Sequence, residues 1–203
     1  LTTFLMTMRG TPYYYNGDEL GMSNFGFDSI SQINDMPTRN EYQHLKETGG
    51  DLVSFMERVK FSCRDNGRTP FQWDSTQYAG FSTGTPWLGV NANYKEVNAA
   101  AQDKDPNSVL NYFRKVVQLR KSNPVLVYGK YELLDKENKD VYTYTRELNG
   151  KKLLVMLNFR KMNEVAHPGI DLTNATVLIS NYGDGSHSGD LRPFEAVVYE
   201  LKE

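Results

Sequence analysis

Apolar residues recur at helical spacing in several stretches of the first part of the chain, and polar residues fill the positions between them. This period predicts amphipathic helices that bury one face. Asp51 precedes the stretch with the clearest period and is a favourable N-cap. Pro124 ends the last stretch, because a proline disfavours helical backbone in the residue before it. The predicted helices cover residues 1–9, 37–48, 51–62 and 107–122.

A short run of a different kind follows the first helix. Residues 11–15 read Thr-Pro-Tyr-Tyr-Tyr, a β-prone sequence that contains proline near its start, and Asn16-Gly17 is a turn signal. The residues from Asp18 to Met22 are typical of the first turn of a helix, with the acidic residues Asp18 and Glu19 at its positive end. A helix, a short strand and an acid-bearing loop in this order predict an α/β unit whose working loop follows the strand.

In the last third of the chain the hydrophobic period changes to alternation. Alternating or continuous apolar segments predict strands at 141–146, 152–159, 176–180 and 195–200, and Asn149-Gly150 is a hairpin turn between the first two. This part predicts an all-β antiparallel module, a small β-sandwich. The predicted fold class is therefore α/β plus all-β, with domains at 1–124 and 125–203.

The segment between the third and fourth helices, residues 63–105, has no clear period and is rich in polar groups. Arg64 and Arg68 offer planar forks of N–H donors that suit carboxylates or paired hydroxyls, and Asp65 adds an acceptor beside them. A loop of this length inside a compact domain is usually functional. The segment therefore predicts a binding site or the support of one.

Composition and charge narrow the possible functions. The 23 Lys and Arg residues nearly balance the 25 Asp and Glu residues, and the net charge of −2 comes without a basic stripe, so no nucleic-acid partner is expected. No apolar run is long enough to span a bilayer, and no signal peptide is recognisable, so no membrane partner is expected. Cytoplasmic and periplasmic locations both stay open. The single cysteine, Cys63, excludes an internal disulfide, and the three histidines are too scattered to predict a metal site.

Five segments carry a family resemblance. They read GTPYYYNGDELGM at 10–22, RDNGRTPFQWD at 64–74, AGFSTGTPW at 79–87, NANYKEVN at 91–98 and NSVLNYFRK at 107–115. With these segments in this order, the chain resembles the α-amylase superfamily of glycoside hydrolases. Within that superfamily it is most similar to the oligo-1,6-glucosidase and α-glucosidase branch.

The resemblance implies a particular architecture. Residues 11–15 would be the last strand of a (β/α)8 barrel, residues 107–122 its closing helix, and residues from about 125 the C-terminal antiparallel β-sandwich of such enzymes. The family order places the other strands earlier. The chain is therefore expected to be a C-terminal segment, with the preceding part of the same enzyme (barrel strands 1–7) as its partner.

The resemblance also implies an activity. It is the retaining hydrolysis of α-1,6 or α-1,4 glucosidic bonds in short α-linked gluco-oligosaccharides, without a cofactor. The family's Asp nucleophile and Glu general acid belong to motifs that come before this chain, so we expect no catalytic residue in it and no activity from it alone. Arg64 matches an arginine that contacts the substrate glucose and, in the family, pairs with an acid from an early loop. That acid lies outside this chain, so Arg64 is expected here to be unpaired or to pair with another acid, with Asp65 as the candidate. We predict that Arg68 forms a structural ion pair beside Arg64, and that Asp65 braces Arg64 or caps backbone amides.

The aromatic residues of these segments have two possible roles. Trp73 and Trp87 are predicted to be buried anchors of the long loop, and the alternative is that they stack on sugar rings. The tyrosines at 13–15 are predicted to fill the barrel and its surroundings.

Other functions stay open. The chain could belong to a non-catalytic relative with the amylase fold, or to a β-sandwich that serves as a carbohydrate-binding or structural module. Within the family, sucrose isomerase and trehalose-6-phosphate hydrolase are alternatives. Linkage preference is open as well, because Pro37 stands where relatives usually carry a glutamate near the leaving sugar.

Overall fold

The computed structural model describes residues 1–202, which form two compact units. One unit combines Leu1–Tyr13 with the chain from Tyr112 onward, and the other is Tyr14–Asn111. The predicted domain boundary at 124–125 stays a prediction. The two units are described separately below.

The four predicted helices are confirmed, with shifts of a few residues at their ends. Within residues 1–202 the α-helices are α1 Thr2–Thr7, α2 Met36–Thr48, α3 Leu52–Ser62, α4 Ala99–Lys104, α5 Val109–Ser122 and α6 Pro124–Tyr128. Short 3-10 helices occupy Asp18–Leu20, Ile30–Gln32, Arg64–Arg68, Gln77–Gly80 and Ala92–Lys95. None of the helices in this range combines the length and the apolar character that a membrane crossing needs.

Side-chain caps explain where the helices of the second unit begin. Asp51 accepts hydrogen bonds from the backbone N–H groups of Val53 and Ser54 at the start of α3, as predicted. Asp35 accepts the N–H of Thr38 at the start of α2. Each cap satisfies N–H groups that the first helical turn leaves without a partner.

The first unit is built on an antiparallel sheet. Its strands run in the order β1-β2-β3-β7-β5, and a short pair, β4-β6, lies beside it. Asn149 and Gly150 take positive φ angles of 52° and 82°, which matches the tight turn predicted between β2 and β3. The strands are β1 Lys130–Leu134, β2 Val141–Leu148, β3 Lys151–Asn158, β4 Glu164–Val165, β5 Thr176–Ser180, β6 Asp190–Leu191 and β7 Ala196–Leu201.

Both faces of this sheet are buried. Leu153 and Val155 of β3 lie on one face with Leu126 of α6, and Phe4 of α1 packs against the same cluster. The neighbouring residue Leu154 lies in a separate cluster with Leu172, Leu191 and other apolar side chains. The continuous apolar run of β3 follows from this arrangement, since a strand covered on both faces has no polar side.

The strand predicted at residues 11–15 is absent. These residues have no regular secondary structure, and the side chains of Tyr13 and Tyr15 are 86% and 60% exposed. The expectation that the tyrosines fill a barrel interior is therefore wrong for this structure. A strand requires a hydrogen-bonded neighbour, and none of the strand pairings within residues 1–202 includes this segment.

The second unit packs α2 and α3 around a separate core. Phe55 and Val59 of α3, and Cys63 directly after it, are buried with Phe27 and Ile33 from the loop before α2. Cys63 is the last residue before the polar segment that begins at residue 64. The buried end of α3 therefore fixes the start of that segment.

Candidate functional site

The polar segment opens with a short turn directly after α3. This turn is the 3-10 helix Arg64–Arg68, and Thr69 follows it as the C-cap residue, directly before Pro70. Tyr15 donates its hydroxyl to the carbonyl of Gly67 at 2.9 Å. A Cβ at Gly67 would lie 3.1 Å from the same hydroxyl oxygen, so this close approach favours glycine. This hydrogen bond holds the turn against Tyr15.

Asp65 is fully buried and joins this turn to the start of α2. Its Oδ2 accepts the backbone N–H groups of Asn34 at 2.6 Å and Asp35 at 2.9 Å. Its Oδ1 accepts Nη1 of Arg68 at 3.0 Å. Of the two roles predicted for Asp65, the structure shows the capping of backbone amides. Its arginine contact is with Arg68 rather than Arg64.

Asp35 is the centre of the cluster, and sequence reasoning did not identify it as a site residue. Its Oδ1 accepts Nε of Arg64 at 2.8 Å, lies 2.7 Å from Nη2 of the same arginine, and accepts Nη1 of Arg68 at 3.3 Å. Its Oδ2 accepts the backbone N–H and the hydroxyl of Thr38 at 3.2 and 2.7 Å. The sequence signal that could have identified Asp35 is its position as the N-cap of α2, directly before Met36.

The carboxylate of Asp35 is ionised although its side chain is only 3% exposed. Burial by itself would raise the pKa of Asp35, but hydrogen bonds from Thr38 and the hydrogen bond and charge of Arg64 outweigh it, so the pKa lies below its usual value of 3.8. The hydrogen bond to Asp65 and the nearby negative charges raise the pKa of Arg68. Two carboxylates and two guanidinium groups therefore balance in charge at this site.

Arg64 points one edge of its guanidinium at Asp35 and leaves the other edge accessible. Its side chain is 59% exposed. Nε and Nη2 contact Asp35, while Nη1 has no hydrogen-bond partner among residues 1–202. A guanidinium has five N–H donors in a rigid plane, so the accessible edge can bind paired hydroxyls or a carboxylate.

The prediction that Trp73 and Trp87 are buried anchors is wrong. Their side chains are 54% and 65% exposed, whereas the nearby Phe71 and Leu88 are buried. The ring of Phe71 lies 4.6 Å from that of Trp73. The smaller apolar neighbours supply the anchoring, and each indole is partly exposed at the surface. Stacking on sugar rings remains open for them.

Other acidic residues near the turn serve the local backbone. Glu19 accepts the N–H of Gly17, and Asp74 accepts the N–H and the hydroxyl of Thr76. The two hydrogen bonds from Thr76 lower the pKa of Asp74. Within residues 1–202 no group of three or more His, Cys, Asp or Glu side chains is arranged to hold a metal ion.

Comparison with known proteins assigns this chain to a family. The family model described as the alpha amylase catalytic domain matches residues 1–129. The chain therefore belongs to the alpha-amylase family.

Individual relatives match the chain over nearly all of its length. An oligo-1,6-glucosidase of Parageobacillus thermoglucosidasius is 43% identical over 210 residues, which cover 100% of this chain and 37% of the relative. A trehalose-6-phosphate hydrolase of Bacillus subtilis is 39% identical and is matched over 99% of this chain and 37% of its own length. The chain thus spans little more than a third of these relatives.

Solved structures agree with this assignment. The crystal structure of trehalose-6-phosphate hydrolase from Bacillus licheniformis superimposes with a TM-score of 0.92 at 38% identity, covering 100% of this chain and 38% of that one. Isomaltulose synthase from Klebsiella sp. LX3 gives a TM-score of 0.90 at 36% identity, covering 99% of this chain and 37% of its own. The fold of this chain therefore matches the corresponding part of these solved structures.

Proposed function

We propose that the chain is the closing part of a retaining glycoside hydrolase that cleaves α-1,6 or α-1,4 bonds in short gluco-oligosaccharides. Relatives named oligo-1,6-glucosidase, 43% identical across the chain, support this substrate class. Residues 1–124 would complete the catalytic barrel, where a strand at 11–15 forms once it has neighbouring strands. Residues 125–203 would be the β-sandwich, an interpretation supported by a sheet that is covered on both faces.

Within this enzyme the chain would bind substrate rather than perform the covalent steps. Retaining hydrolysis needs two carboxyl groups about 5 Å apart, one as nucleophile and one as general acid and base. We assign both to the preceding part of the enzyme. The accessible edge of Arg64, anchored on a buried carboxylate, is the observation that carries the proposal. It would donate hydrogen bonds to hydroxyl groups of the substrate glucose, while Asp65 and Arg68 hold the turn in place.

A second candidate activity has specific support. Relatives of this chain include a trehalose-6-phosphate hydrolase and solved structures of isomaltulose and trehalulose synthases. Hydrolysis and isomerisation would share the glucose contact of Arg64 and differ elsewhere in the site. The named relatives are enzymes that match the whole chain, so neither a non-catalytic protein nor a free carbohydrate-binding sandwich is favoured.

The role of Arg64 is tested by Arg64→Ala in the complete enzyme. We expect kcat/KM for p-nitrophenyl α-D-glucopyranoside to fall about 10- to 100-fold, because charge-assisted hydrogen bonds are worth roughly 1.5–3 kcal/mol each. The matched control is Arg58→Ala, which removes another half-exposed arginine whose partner is Glu41 on the surface. The control should keep kcat/KM within about twofold. Near-normal kcat/KM in Arg64→Ala would refute the assignment.

A further inference from the structure

We infer that Asp35 is the positioning residue of Arg64, so that a buried helix cap determines how the guanidinium meets the substrate. The inference rests on the proposed function, because it assigns a role to the carboxylate that holds the proposed substrate contact. Asp35 itself is buried and would not touch the sugar.

The first step is the geometry of the pair. Nε and Nη2 of Arg64 both lie within 2.8 Å of the same oxygen, Oδ1 of Asp35. These two nitrogens form one edge of the guanidinium plane, so contact of both with Oδ1 sets the direction in which the other edge points. A long side chain that is 59% exposed would otherwise sample many rotamers.

The second step shows that Asp35 is held independently of Arg64. Its Oδ2 accepts two hydrogen bonds from Thr38, which prevents the carboxylate from turning. Its backbone N–H is bound by Oδ2 of the buried Asp65. Because these contacts remain when Arg64 is removed, the position of Asp35 determines that of Arg64 rather than the reverse.

The third step separates Arg64 from its neighbour Arg68. Arg68 has a second carboxylate, Asp65, at 3.0 Å and lies farther from Asp35, at 3.3 Å. Asp35 is the acidic partner of Arg64 among residues 1–202. Loss of the charge at position 35 therefore removes the acidic partner that Arg64 has within this chain, while Arg68 remains paired with Asp65.

Asp35→Asn separates positioning from helix capping. Asparagine is as good an N-cap as aspartate, so the start of α2 is preserved. The neutral side chain forms no ion pair, and when its single oxygen caps α2, its NH2 group rather than an acceptor faces Arg64. In the complete enzyme we expect kcat/KM for p-nitrophenyl α-D-glucopyranoside to fall at least about tenfold, and the Asp35→Asn/Arg64→Ala double variant to be no worse than Arg64→Ala alone. This non-additivity is a result that a purely structural role of Asp35 would not produce.

Asp51→Asn is the matched control. Asp51 caps α3 through the same kind of contacts, and in the described part of the chain it pairs with no arginine. Its kcat/KM should stay within about twofold of the parent enzyme. An equal loss in Asp51→Asn would overturn the inference, because capping alone would then explain the effect of Asp35→Asn.

The outcomes distinguish the two proposals. If Arg64→Ala has near-normal kcat/KM, the proposed function fails. If Arg64→Ala is impaired while Asp35→Asn is normal, or if their losses multiply, the proposed function stands and the positioning role is overturned.

A second variant keeps the test decisive if Asp35→Asn does not fold. Thr38→Val removes the hydroxyl that restrains Oδ2 but keeps the backbone N–H, so Asp35 stays charged and less restrained. We expect a loss of about threefold in kcat/KM that disappears in the Arg64→Ala background. A loss of equal size in both backgrounds, or no loss in either, would overturn the inference.

Discussion

Buried charged residues in this protein are stabilised by two different arrangements. Asp35 and Asp65 are buried carboxylates, and each has backbone N–H donors as well as an arginine. Arg146 is a buried cation that hydrogen-bonds backbone carbonyls instead of a carboxylate. Ionised groups can stay inside the protein only where such contacts replace water.

The lowered pKa of Asp35 predicts a pH-dependent contribution to stability. Because the folded-state pKa lies below the unfolded value, this contribution is present above the unfolded pKa and is lost as the pH falls through the folded pKa. The free energy of unfolding, measured by urea titration, should differ between parent and Asp35→Asn at about pH 6, and the difference should narrow at about pH 3. A difference that stays constant or widens on acidification would contradict this prediction.

At the scale of elements, β3 shows how a continuous apolar run is used. A solvent-facing strand alternates apolar and polar residues, whereas residues 153–157 are apolar throughout. Leu153 faces the cluster that includes Leu126, and Leu154 faces the cluster that includes Leu172. Successive side chains of one strand thus belong to two separate cores.

This arrangement predicts similar costs for adjacent substitutions in β3. Leu153→Ala and Leu154→Ala should each lower the free energy of unfolding by about 3 kcal/mol, since each deletes a fully buried side chain and leaves a cavity. Chemical denaturation would measure both.

The matched control in the same strand is Lys152→Ala. Lys152 forms a half-exposed ion pair with Glu147, and its loss should cost less than about 1 kcal/mol. A small cost at only one of the two leucines would mean that one face of the sheet is open to solvent.

At the scale of the whole molecule, the first unit is assembled from distant parts of the chain. Arg146 on β2 donates to the carbonyls of Thr7 at the end of α1, Leu126 in α6 and Gly129. Arg120 also donates to carbonyls near the end of α1 and to Leu126. Burial lowers the pKa of both arginines. These contacts join the first helix to a sheet that begins more than a hundred residues later.

Arg146→Ala should therefore destabilise the protein more than an ordinary arginine substitution. It leaves the buried carbonyls of Thr7 and Gly129 without this donor, while the carbonyl of Leu126 keeps Arg120, and it opens a cavity. We therefore expect a loss of about 3 kcal/mol in the free energy of unfolding. Arg160→Ala, which removes an exposed partner of Asp140, should cost less than about 1 kcal/mol. Comparable losses for the two variants would show that the buried carbonyl contacts contribute little.

Much of the local structure was predictable because its causes lie close together in the chain. The helices at 37–48 and 51–62, the Asp51 cap and the Asn149-Gly150 hairpin each depend on residues within one or two turns of one another. The family was predictable for a related reason, since contiguous motifs at 10–22 and 64–74 carry its resemblance. Arg64, Asp65 and Arg68 could be named as candidates from the second motif alone.

Features that depend on residues far apart in the chain required the three-dimensional structure. The Arg64–Asp35 pair joins positions separated by 29 residues, and no local pattern shows which acid meets which arginine. The exposure of Trp73 and Trp87 depends on which neighbours fill the core, and the strand predicted at 11–15 needs a partner strand to form. Local sequence sets helix periods, caps and turns through short-range hydrogen bonds and steric limits. Burial, ion pairing and strand pairing depend on the surroundings that the fold provides.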